Sequence, residues 1–336
     1  MVARMTIKEI ARLSGVGVST VSRVLNKRPD VNEDTRGRVM EVIERYGYEP
    51  NSNAKHLKQL LTDCVAVIVR GRNNLFFSGI LELLQKRIEA AGLRFLPHYI
   101  DENDDEAAAA LRVYAERKVR GIIFMGGCHT DNGAMLSRLP IPCIYSTVNA
   151  AEGYAPNVSS VSVDDRQGAK KAIDYLFDCG HENMVILSGE TQGCNMAHQR
   201  YLGVLDSFKE HGKTLESSRV LVSPFSFSCA YERIKEYTGP DYTAIFAMSD
   251  TMAIGAARAL MDSGKRVPED VSVIGYDGIE LAQYYHPALA TMRQPQQELA
   301  DRSVELLLES MDTDCAPKHI QLETELIQGA SVKHIS

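Results

Sequence analysis

The sequence predicts a small all-α head followed by an α/β core built from parallel sheets. Three observations support this division. Apolar residues recur at helical spacing around a glycine near the N-terminus, and from residue 63 onward short β-branched runs alternate with amphipathic stretches. The charge also differs, because residues 1–62 carry 11 Lys and Arg against 7 Asp and Glu, whereas the whole chain has a net charge of −7. The head is therefore basic and the core acidic, which is typical of a chain whose head binds a polyanion.

The apolar residues of the head fall on one face of two successive helices, Ile7, Ile10, Ala11 and Leu13 on the first and Val16, Val21 and Val24 on the second. Gly15 supplies the left-handed backbone conformation that a short interhelical turn needs. This pattern predicts a helix-turn-helix, whose second helix enters the major groove of DNA. The outward residues of that helix are Val18, Ser19, Ser22 and Arg23. We expect the head to bind DNA, and a helix pair that only forms core is the alternative.

A third helix is predicted over residues 31–48. Its apolar residues recur at i, i+3, i+4 and i+7 and are Val39, Val42, Ile43 and Tyr46. Asn32 or Asp34 is expected to cap its start, and Gly47 to end it. Asn51 then caps a helix of about two turns, which is too short to be stable alone in water. We expect DNA or a second copy of the chain to stabilise it.

From residue 63 the pattern predicts strands that alternate with helices. The predicted strands are residues 65–69, 93–96, 121–125, 143–145, 184–187, 220–222, 244–247 and 271–274. The predicted helices are residues 79–91, 106–118, 167–177, 196–211, 230–237, 250–263 and 296–311. This alternation predicts parallel sheets covered on both faces, and the number of strands favours two doubly wound lobes over a single sheet. Ligands of such folds bind at the carboxyl ends of the strands, here in the cleft between the lobes.

The composition argues against several classes of protein. Residues 1–30 lack the apolar segment of a secretory signal, and no apolar run approaches the ~20 residues of a membrane helix. We therefore expect a cytoplasmic protein with no membrane partner. The seven cysteines form no C-x-x-C pair, so we expect free thiols, no metal site and no cofactor.

An enzyme is also not expected. The sequence contains no G-x-S-x-G, P-loop or H-E-x-x-H motif. Asp164 and Asp165 are adjacent carboxylates, but we expect them on a strand, where neighbouring side chains point to opposite faces. They would then be unable to flank one bond as an acid–base pair.

Along essentially its whole length the chain resembles the lactose/galactose repressor family (LacI/GalR). The matching stretches include the run Val267-Pro-Glu-Asp-Val-Ser-Val-Ile-Gly-Tyr-Asp277. The others are residues 6–26, 47–51 with Ala54 and Leu57, 74–77, 119–123, 179–181, 249–253 and 287–295. The resemblance implies a homodimeric, allosteric transcription regulator. It would have a DNA-binding head, a hinge helix and a core like that of periplasmic sugar-binding proteins.

We expect three segments along the chain. Residues 1–48 form the helix-turn-helix head, residues 49–62 the hinge helix and linker, and residues 63–336 the core that binds the effector and forms the dimer. Within the core, one lobe comprises about residues 63–161 and 294–320, and the other about residues 162–293 and 321–336.

Three residues depart from the family pattern. Gly17 stands where the family usually has a serine that caps the recognition helix, so one phosphate contact is in doubt. Leu75 replaces a proline before two phenylalanines, which leaves that loop less rigid. Gly329 replaces an arginine and puts a family salt bridge in doubt. No leucine-heptad helix follows the core, and by resemblance this favours a dimer over a tetramer.

By resemblance, the DNA-binding residues are Thr6, Val18, Ser19, Thr20, Ser22, Arg23, Asn26, Asn51, Ala54 and Leu57. Val18, Ser19 and Arg23 are assigned to base edges, with a phosphate contact as the alternative for Arg23. Leu57 resembles the hinge leucine that the family inserts into the minor groove. Its alternative is a linker residue packed on the core. Ala54 is small enough for two hinge helices to approach closely.

The effector-binding residues implied by the resemblance are Phe76, Phe77, Thr147, Asp164, Arg200, Ser249, Asp277 and Gln294. A carboxylate at position 277 and a guanidinium at position 200 suit a polyol or sugar. The alternatives are a helix cap for Asp277, a solvated surface charge for Arg200 and core packing for the two phenylalanines. Ser249 can hydrogen-bond a hydroxyl, whereas Asp250 is expected to cap the helix that it opens.

We therefore predict a cytoplasmic transcriptional repressor of carbohydrate-metabolism genes that binds a palindromic operator as a homodimer. A small sugar-like effector in the cleft would control it, as inducer or as corepressor. The first alternative keeps the DNA-binding head but uses a purine or a phosphoprotein corepressor, because residues 126–131 resemble the catabolite-control branch of the family. A remote alternative, a solute-binding receptor without a DNA function, would need an export signal and no such head.

Overall fold

The computed structural model describes most of the chain and divides it into two compact units, Met1–Leu61 and Thr62–Ser336. The described residues are 7–17, 20–21, 24, 32–46, 63–71, 74–101, 104–127, 132–150, 153–193, 195–312 and 316–335. Several predicted DNA-binding residues lie outside them, namely Thr6, Val18, Ser19, Ser22, Arg23, Asn26, Asn51, Ala54 and Leu57.

The first unit contains helix α1 (Ile7–Ser14), a helical stretch that includes Thr20, Val21 and Val24, and helix α2 (Glu33–Arg45). Gly15 has the positive φ of +67° that the turn was expected to need. The helices share a small apolar core of Ile10, Ala11, Val21, Val24 and Val39. The turn at Gly15 and the shared apolar core therefore agree with the predicted helix-turn-helix.

Two expectations for this unit are wrong. Leu13 is 41% exposed, and Ser14 is buried in its place, with its hydroxyl donating to the Ile10 carbonyl at 2.6 Å. Positions 10, 11 and 14 lie on one face of a helix, and position 13 points away from it. Tyr46 is also exposed because α2 ends at Arg45. The predicted cap is confirmed for Asn32, whose side chain accepts from the Asp34 amide at 2.9 Å.

The second unit contains, within its described residues, two six-stranded sheets. The strands are β1 (Cys64–Arg70), β2 (Arg94–Ile100), β3 (Gly121–Met125), β4 (Cys143–Ser146), β5 (Val158–Val163), β6 (Met184–Ser188), β7 (Val220–Val222), β8 (Ala244–Ala247), β9 (Ser272–Asp277), β10 (Ala290–Arg293), β11 (His319–Leu322) and β12 (Glu325–Ile327). The order is β11-β5-β4-β3-β1-β2 in the N-lobe and β12-β10-β9-β8-β6-β7 in the C-lobe. Neighbouring strands are parallel apart from β10 and β12.

The helices cover both faces of each sheet. They are α3 (Leu75–Ala90), α4 (Glu106–Arg117), α5 (Gly133–Leu136), α6 (Asp165–Asp178), α7 (Met196–Glu210), α8 (Phe227–Lys235), α9 (Asp250–Asp262), α10 (Glu280–Tyr284) and α11 (Gln296–Asp312). Helix α11 packs on α3 and on the N-lobe sheet, whereas α6 packs on α7 and on C-lobe strands. Two doubly wound lobes of parallel sheet were predicted, and the observed architecture confirms this fold class. No helix in the described part of the chain is both long and apolar enough to span a membrane.

Four strands are absent from the sequence prediction: β5, β10, β11 and β12. Half of the residues of strand β5 are serines, so its sequence is not typical of a buried strand, although tertiary hydrogen bonds satisfy Ser159 and Ser160. For example, the Ser159 hydroxyl accepts from the Lys318 amide at 3.1 Å. The two last strands are only half-buried and polar.

The chain passes between the two sheets three times. The first passage follows β5 at Asp164, the second follows β10 at Gln294 and Pro295, and the third joins β11 to β12. Two of the expected lobe limits, after residues 161 and 320, fall inside β5 and β11, because these strands run on to Val163 and Leu322. The carboxyl ends of both sheets meet near the first two passages, which positions the candidate site.

Gly203 allows α6 and α7 to approach closely, because a Cβ at this position would overlap the carbonyl oxygen of Arg166. We expect Gly203→Ala to lower the free energy of unfolding by about 1–3 kcal/mol or more, since the helices would have to separate. Urea denaturation followed by circular dichroism measures this. The control is Gly37→Ala in α2, where nothing lies within 4 Å of the new Cβ. The control should not destabilise, and equal losses in both variants would contradict the close-packing argument.

Candidate functional site

Arg200 is the centre of a buried polar cluster in the C-lobe. It lies on α7 with only 2% of its surface exposed, so it is not a solvated surface charge. Its Nε donates to Asp165 Oδ1 at 2.7 Å, its Nη1 donates to the Met248 carbonyl, and Asp277 Oδ1 lies 3.6 Å from Nη1. The guanidinium also lies 3.7 Å from the centre of the Tyr276 ring. Every side of this cation therefore has a partner.

Asp277 ends strand β9 and is tied to the second passage between the lobes. Gln294 Nε2 donates to Asp277 Oδ1 at 2.8 Å, and the Gln294 backbone amide donates to the Asp277 carbonyl at 3.1 Å. The next helix, α10, begins at Glu280 and has no side-chain cap. The alternative interpretation of Asp277 as a helix cap is therefore excluded, and three residues from distant parts of the sequence meet at one point.

Two of the predicted site residues have a strained backbone. Asp277 has a φ of +110° and Thr147 a φ of +81°, conformations that cost non-glycine residues about 1–3 kcal/mol each. Thr147 follows β4 in the N-lobe, where its amide donates to the Val161 carbonyl at 2.8 Å. Its hydroxyl accepts from the Gly126 amide at 3.3 Å. Strain that persists at the carboxyl ends of strands in both lobes is typical of a binding site.

Burial shapes the charges of the cluster. Desolvation raises the pKa of Asp277 to about 7, although Arg200 and the hydrogen bond from Gln294 act to lower it. Desolvation likewise raises the pKa of Asp165, against the opposing effect of Arg200. For Arg200, desolvation alone would lower the pKa, but the two carboxylates more than offset it and the pKa is raised. The guanidinium therefore stays charged.

Asp250 has a different role from the one expected. It was predicted to cap α9, but Ser249 is the cap, and its hydroxyl accepts from the Met252 amide at 3.1 Å. The buried Asp250 carboxylate instead accepts from the Ile279 amide at 2.8 Å and from the Thr291 hydroxyl at 2.6 Å. It therefore supports the loop that follows Asp277. Desolvation and the charge of Asp277 raise its pKa to about 8.

A cavity of about 260 Å³ lies beside the cluster and between the lobes. Asp165 lines it and bonds Arg200, so it connects the two. The other lining residues are mostly polar: Thr147, Val148, Asn149, Val163, Asp164, Arg166, Asn195, Met196, Gln199 and Gln321. A wider hollow of about 670 Å³ lies along the start of α11 on the other side of Gln294. The smaller cavity has walls from both lobes and includes the strained Thr147, which makes it the candidate ligand site.

Comparison with known proteins assigns both units. Residues 6–51 match the family model described as bacterial regulatory proteins, lacI family, and residues 173–332 match the periplasmic binding protein-like domain. The chain is 34% identical to the HTH-type transcriptional regulator MalR of Clostridium butyricum, over 98% of this chain and 100% of that protein. It is 32% identical to the transcriptional repressor PurR of Vibrio vulnificus, over 98% and 99% of the two chains. The chain belongs to the LacI family.

Among solved structures, the transcriptional regulator CelR in complex with cellobiose is 28% identical to this chain. It has a TM-score of 0.71 and covers 98% of this LacI-family chain and 100% of its own. The relatives are transcriptional regulators and not enzymes. The protein is accordingly a DNA-binding transcriptional regulator, as predicted from its head and from the resemblance.

The remaining predicted effector residues lie in three settings. Phe76 and Phe77, at the start of α3, are buried in the N-lobe, where Phe77 packs against Gly126. This burial agrees with the alternative of core packing. Asp164 borders the cavity and caps α6 by accepting from the Gln167 amide at 2.9 Å. The hydroxyl of Ser249 caps α9. Thr20 of the head is half-buried.

Sequence reasoning missed Asp165, the closest carboxylate partner of Arg200. The residue was expected on a strand with Asp164, but β5 ends at Val163 and both aspartates start α6. Their side chains do diverge, one to the helix start and the other to Arg200. No local sequence signal identifies Asp165, because its role is defined by a contact from another element.

Replacing Asp250 tests the electrostatics of the site. Because its pKa is raised from 3.8 to about 8, the folded protein holds a proton that the unfolded chain releases. This carboxyl therefore makes the free energy of unfolding fall as pH rises from about 4 to about 8. We expect Asp250→Asn to remove that fall, by up to about 1.4 kcal/mol per pH unit. Urea denaturation between pH 5 and 8.5 measures it, and parallel curves for variant and wild type would contradict the raised pKa.

Proposed function

We propose that this LacI-family regulator is a repressor of carbohydrate-metabolism genes that acts in the cytoplasm, where its DNA lies. It binds a palindromic operator as a homodimer, and a small unmodified sugar in the interlobe cleft controls it. The observation that carries the proposal is the cluster of Arg200, Asp277 and Gln294 beside a cavity with walls from both lobes.

The chemistry of the cavity favours a polyol over a purine. Amide and carboxylate groups on its wall, such as Asn149, Asn195 and Asp164, accept or donate the directional hydrogen bonds that sugar hydroxyls need. Among the lining residues that the structure describes, none is aromatic, so a flat purine ring finds no stacking surface on this wall.

The basic head supports operator DNA as the partner. Residues 1–62 carry 11 Lys and Arg against 7 Asp and Glu, in a chain whose overall net charge is −7. Phosphate contacts release counterions, so we expect operator affinity to fall steeply with added salt. One short head offers few contacts, and a second copy on the neighbouring half-site would double them.

Exposed apolar side chains support a second copy of the chain as partner of the core. On the C-lobe, Val222, Phe227 and Leu281 are exposed, and Tyr284 is 72% exposed. Large apolar groups that face water are typical of an interface with another protein. A homodimer would cover them and would place two heads on a palindromic site.

Gln294 provides the coupling between ligand and lobes. It lies where the chain passes from the C-lobe sheet to α11 of the N-lobe, and it bonds Asp277 through both its side chain and its amide. A ligand that contacts Asp277 therefore acts directly on the connection between the lobes. A preference of about 1–3 kcal/mol for one lobe arrangement would change operator affinity by ~5–150-fold.

Asp277→Asn tests the effector assignment. Asparagine keeps the oxygen that accepts from Gln294 and tolerates a positive φ, but it removes the charge that sugar hydroxyls would donate to. We expect operator affinity without ligand close to that of the wild type, and a response to the effector weakened at least about tenfold. Fluorescence anisotropy with operator DNA selected in vitro by the full chain, titrated with and without sugars, measures both.

The matched control is Asp178→Asn, an exposed position at the other end of α6. This variant also removes one carboxylate charge, but at a position far from the site, and should leave the response to the effector intact. A folded Asp277→Asn variant that responds to sugar as well as the wild type does would refute the assignment.

Leu57→Ala tests the hinge. If Leu57 opens a base step in the minor groove, its loss should weaken operator binding far more than binding to random DNA, because only the operator deforms favourably. The same anisotropy assay on both DNAs gives the ratio of affinities. Equal losses on the two DNAs would indicate a packing role for the leucine instead.

A further inference from the structure

The cations that border the cleft are already neutralised by partners within the protein. Arg166, on the cavity wall, forms two hydrogen bonds with Asp206, at 2.5 and 2.9 Å. Arg200 is held by Asp165 and Asp277. Among the described residues of the cavity wall, Arg166 is the one cationic side chain, and it shares this wall with Asp164 and Asp165.

Two helices start at this cavity, and helix starts attract anions when their amides are free. Here side chains already cap them. Asp164 accepts from the Gln167 amide at the start of α6, at 2.9 Å. Asn195 accepts from the His198 amide at the start of α7, at 2.8 Å. Asp164 and Asp165 also place negative charge at the start of α6, which offsets its helix dipole.

From these observations we infer that the cleft takes the uncharged form of its sugar and excludes the phosphate ester of that sugar. This inference rests on the proposed sugar effector and specifies its chemical class. Among the described residues of this wall, a phosphate group would meet two carboxylates and an arginine that is already paired with Asp206, and like charges repel strongly at a partly buried site. Hydroxyl groups, by contrast, can donate to Asp164 and Asp165 on the cavity wall.

The exclusion implies a place in a reaction sequence. The regulator would sense a sugar before a kinase or a phosphotransferase adds phosphate to it. Phosphorylation of the sugar would end the signal, because the carboxylates of the cleft would repel the phosphate group of the ester.

Isothermal titration of the full chain with matched pairs tests the inference. The probes are glucose, ribose, maltose and cellobiose, each compared with its terminal phosphate ester, and hypoxanthine and guanine complete the panel. We expect at least one neutral sugar to bind, and its ester to bind at least about tenfold more weakly.

Two variants test the cause of the discrimination. Asp164→Asn keeps the helix cap, since asparagine is also a good cap, but removes the carboxylate charge from the wall. We expect the ratio of the two affinities to shrink at least about threefold. The control Asp178→Asn lies about 20 Å away along α6 and should leave the ratio unchanged. Gln199→Arg adds a guanidinium to the wall from an exposed position and should strengthen the ester relative to its parent sugar.

The outcomes separate the two proposals. An ester that binds as tightly as its parent sugar, or more tightly, would overturn the exclusion and leave the sugar effector standing. Binding of a purine but no sugar, or of no probe at all, would overturn the proposed sugar effector and the exclusion with it. An affinity ratio unchanged in both Asp164→Asn and Gln199→Arg would overturn the electrostatic cause.

Discussion

The ion pairs of the buried Arg200 are the interaction on which the candidate site depends. One guanidinium connects the start of α6, the end of β8 and the end of β9, through Asp165, the Met248 carbonyl and Asp277. Removing one partner from such a buried group leaves an uncompensated charge, at a cost of about 3–5 kcal/mol. The relative positions of these elements are therefore strongly constrained, and the face that they present to the cleft is constrained with them.

Asp277 has a strained backbone conformation, and Gln294 ties it to the passage between the lobes. Asp250 supports the same loop from behind, through the Ile279 amide and the Thr291 hydroxyl. Under the proposed function, a ligand that contacts Asp277 would act on these hydrogen-bonded connections.

Of the eight predicted effector residues, the cavity wall contains Thr147 and Asp164, whereas the predicted residues of the Arg200 cluster lie beside it and stand in recognisable local patterns. Asp277 ends a run of buried strand residues, Ser249 precedes a helix, and Arg200 lies within one, so the resemblance to the LacI family could assign them one by one. Asp165 carries no such mark, since its importance comes from an arginine 35 positions later. The exchange of roles between Ser249 and Asp250 was equally hidden, because the donors to Asp250 come from β10 and the loop after β9.

By itself, the sequence determined the helix-turn-helix, the alternation of strands and helices, and the fold class, because hydrophobic periodicity and glycine positions act over a few residues. Only the tertiary structure decided which polar groups are buried and with whom they pair. In the head, Ser14 is buried where Leu13 was expected to be. Ser159 and Ser160 of β5 form hydrogen bonds with residues at and next to β11, and Arg200 pairs with carboxylates from separate segments. Such pairings depend on distances between elements that are far apart in the chain. In the buried interior an unpaired polar group costs enough free energy of folding to favour the one packing of elements in which it is paired.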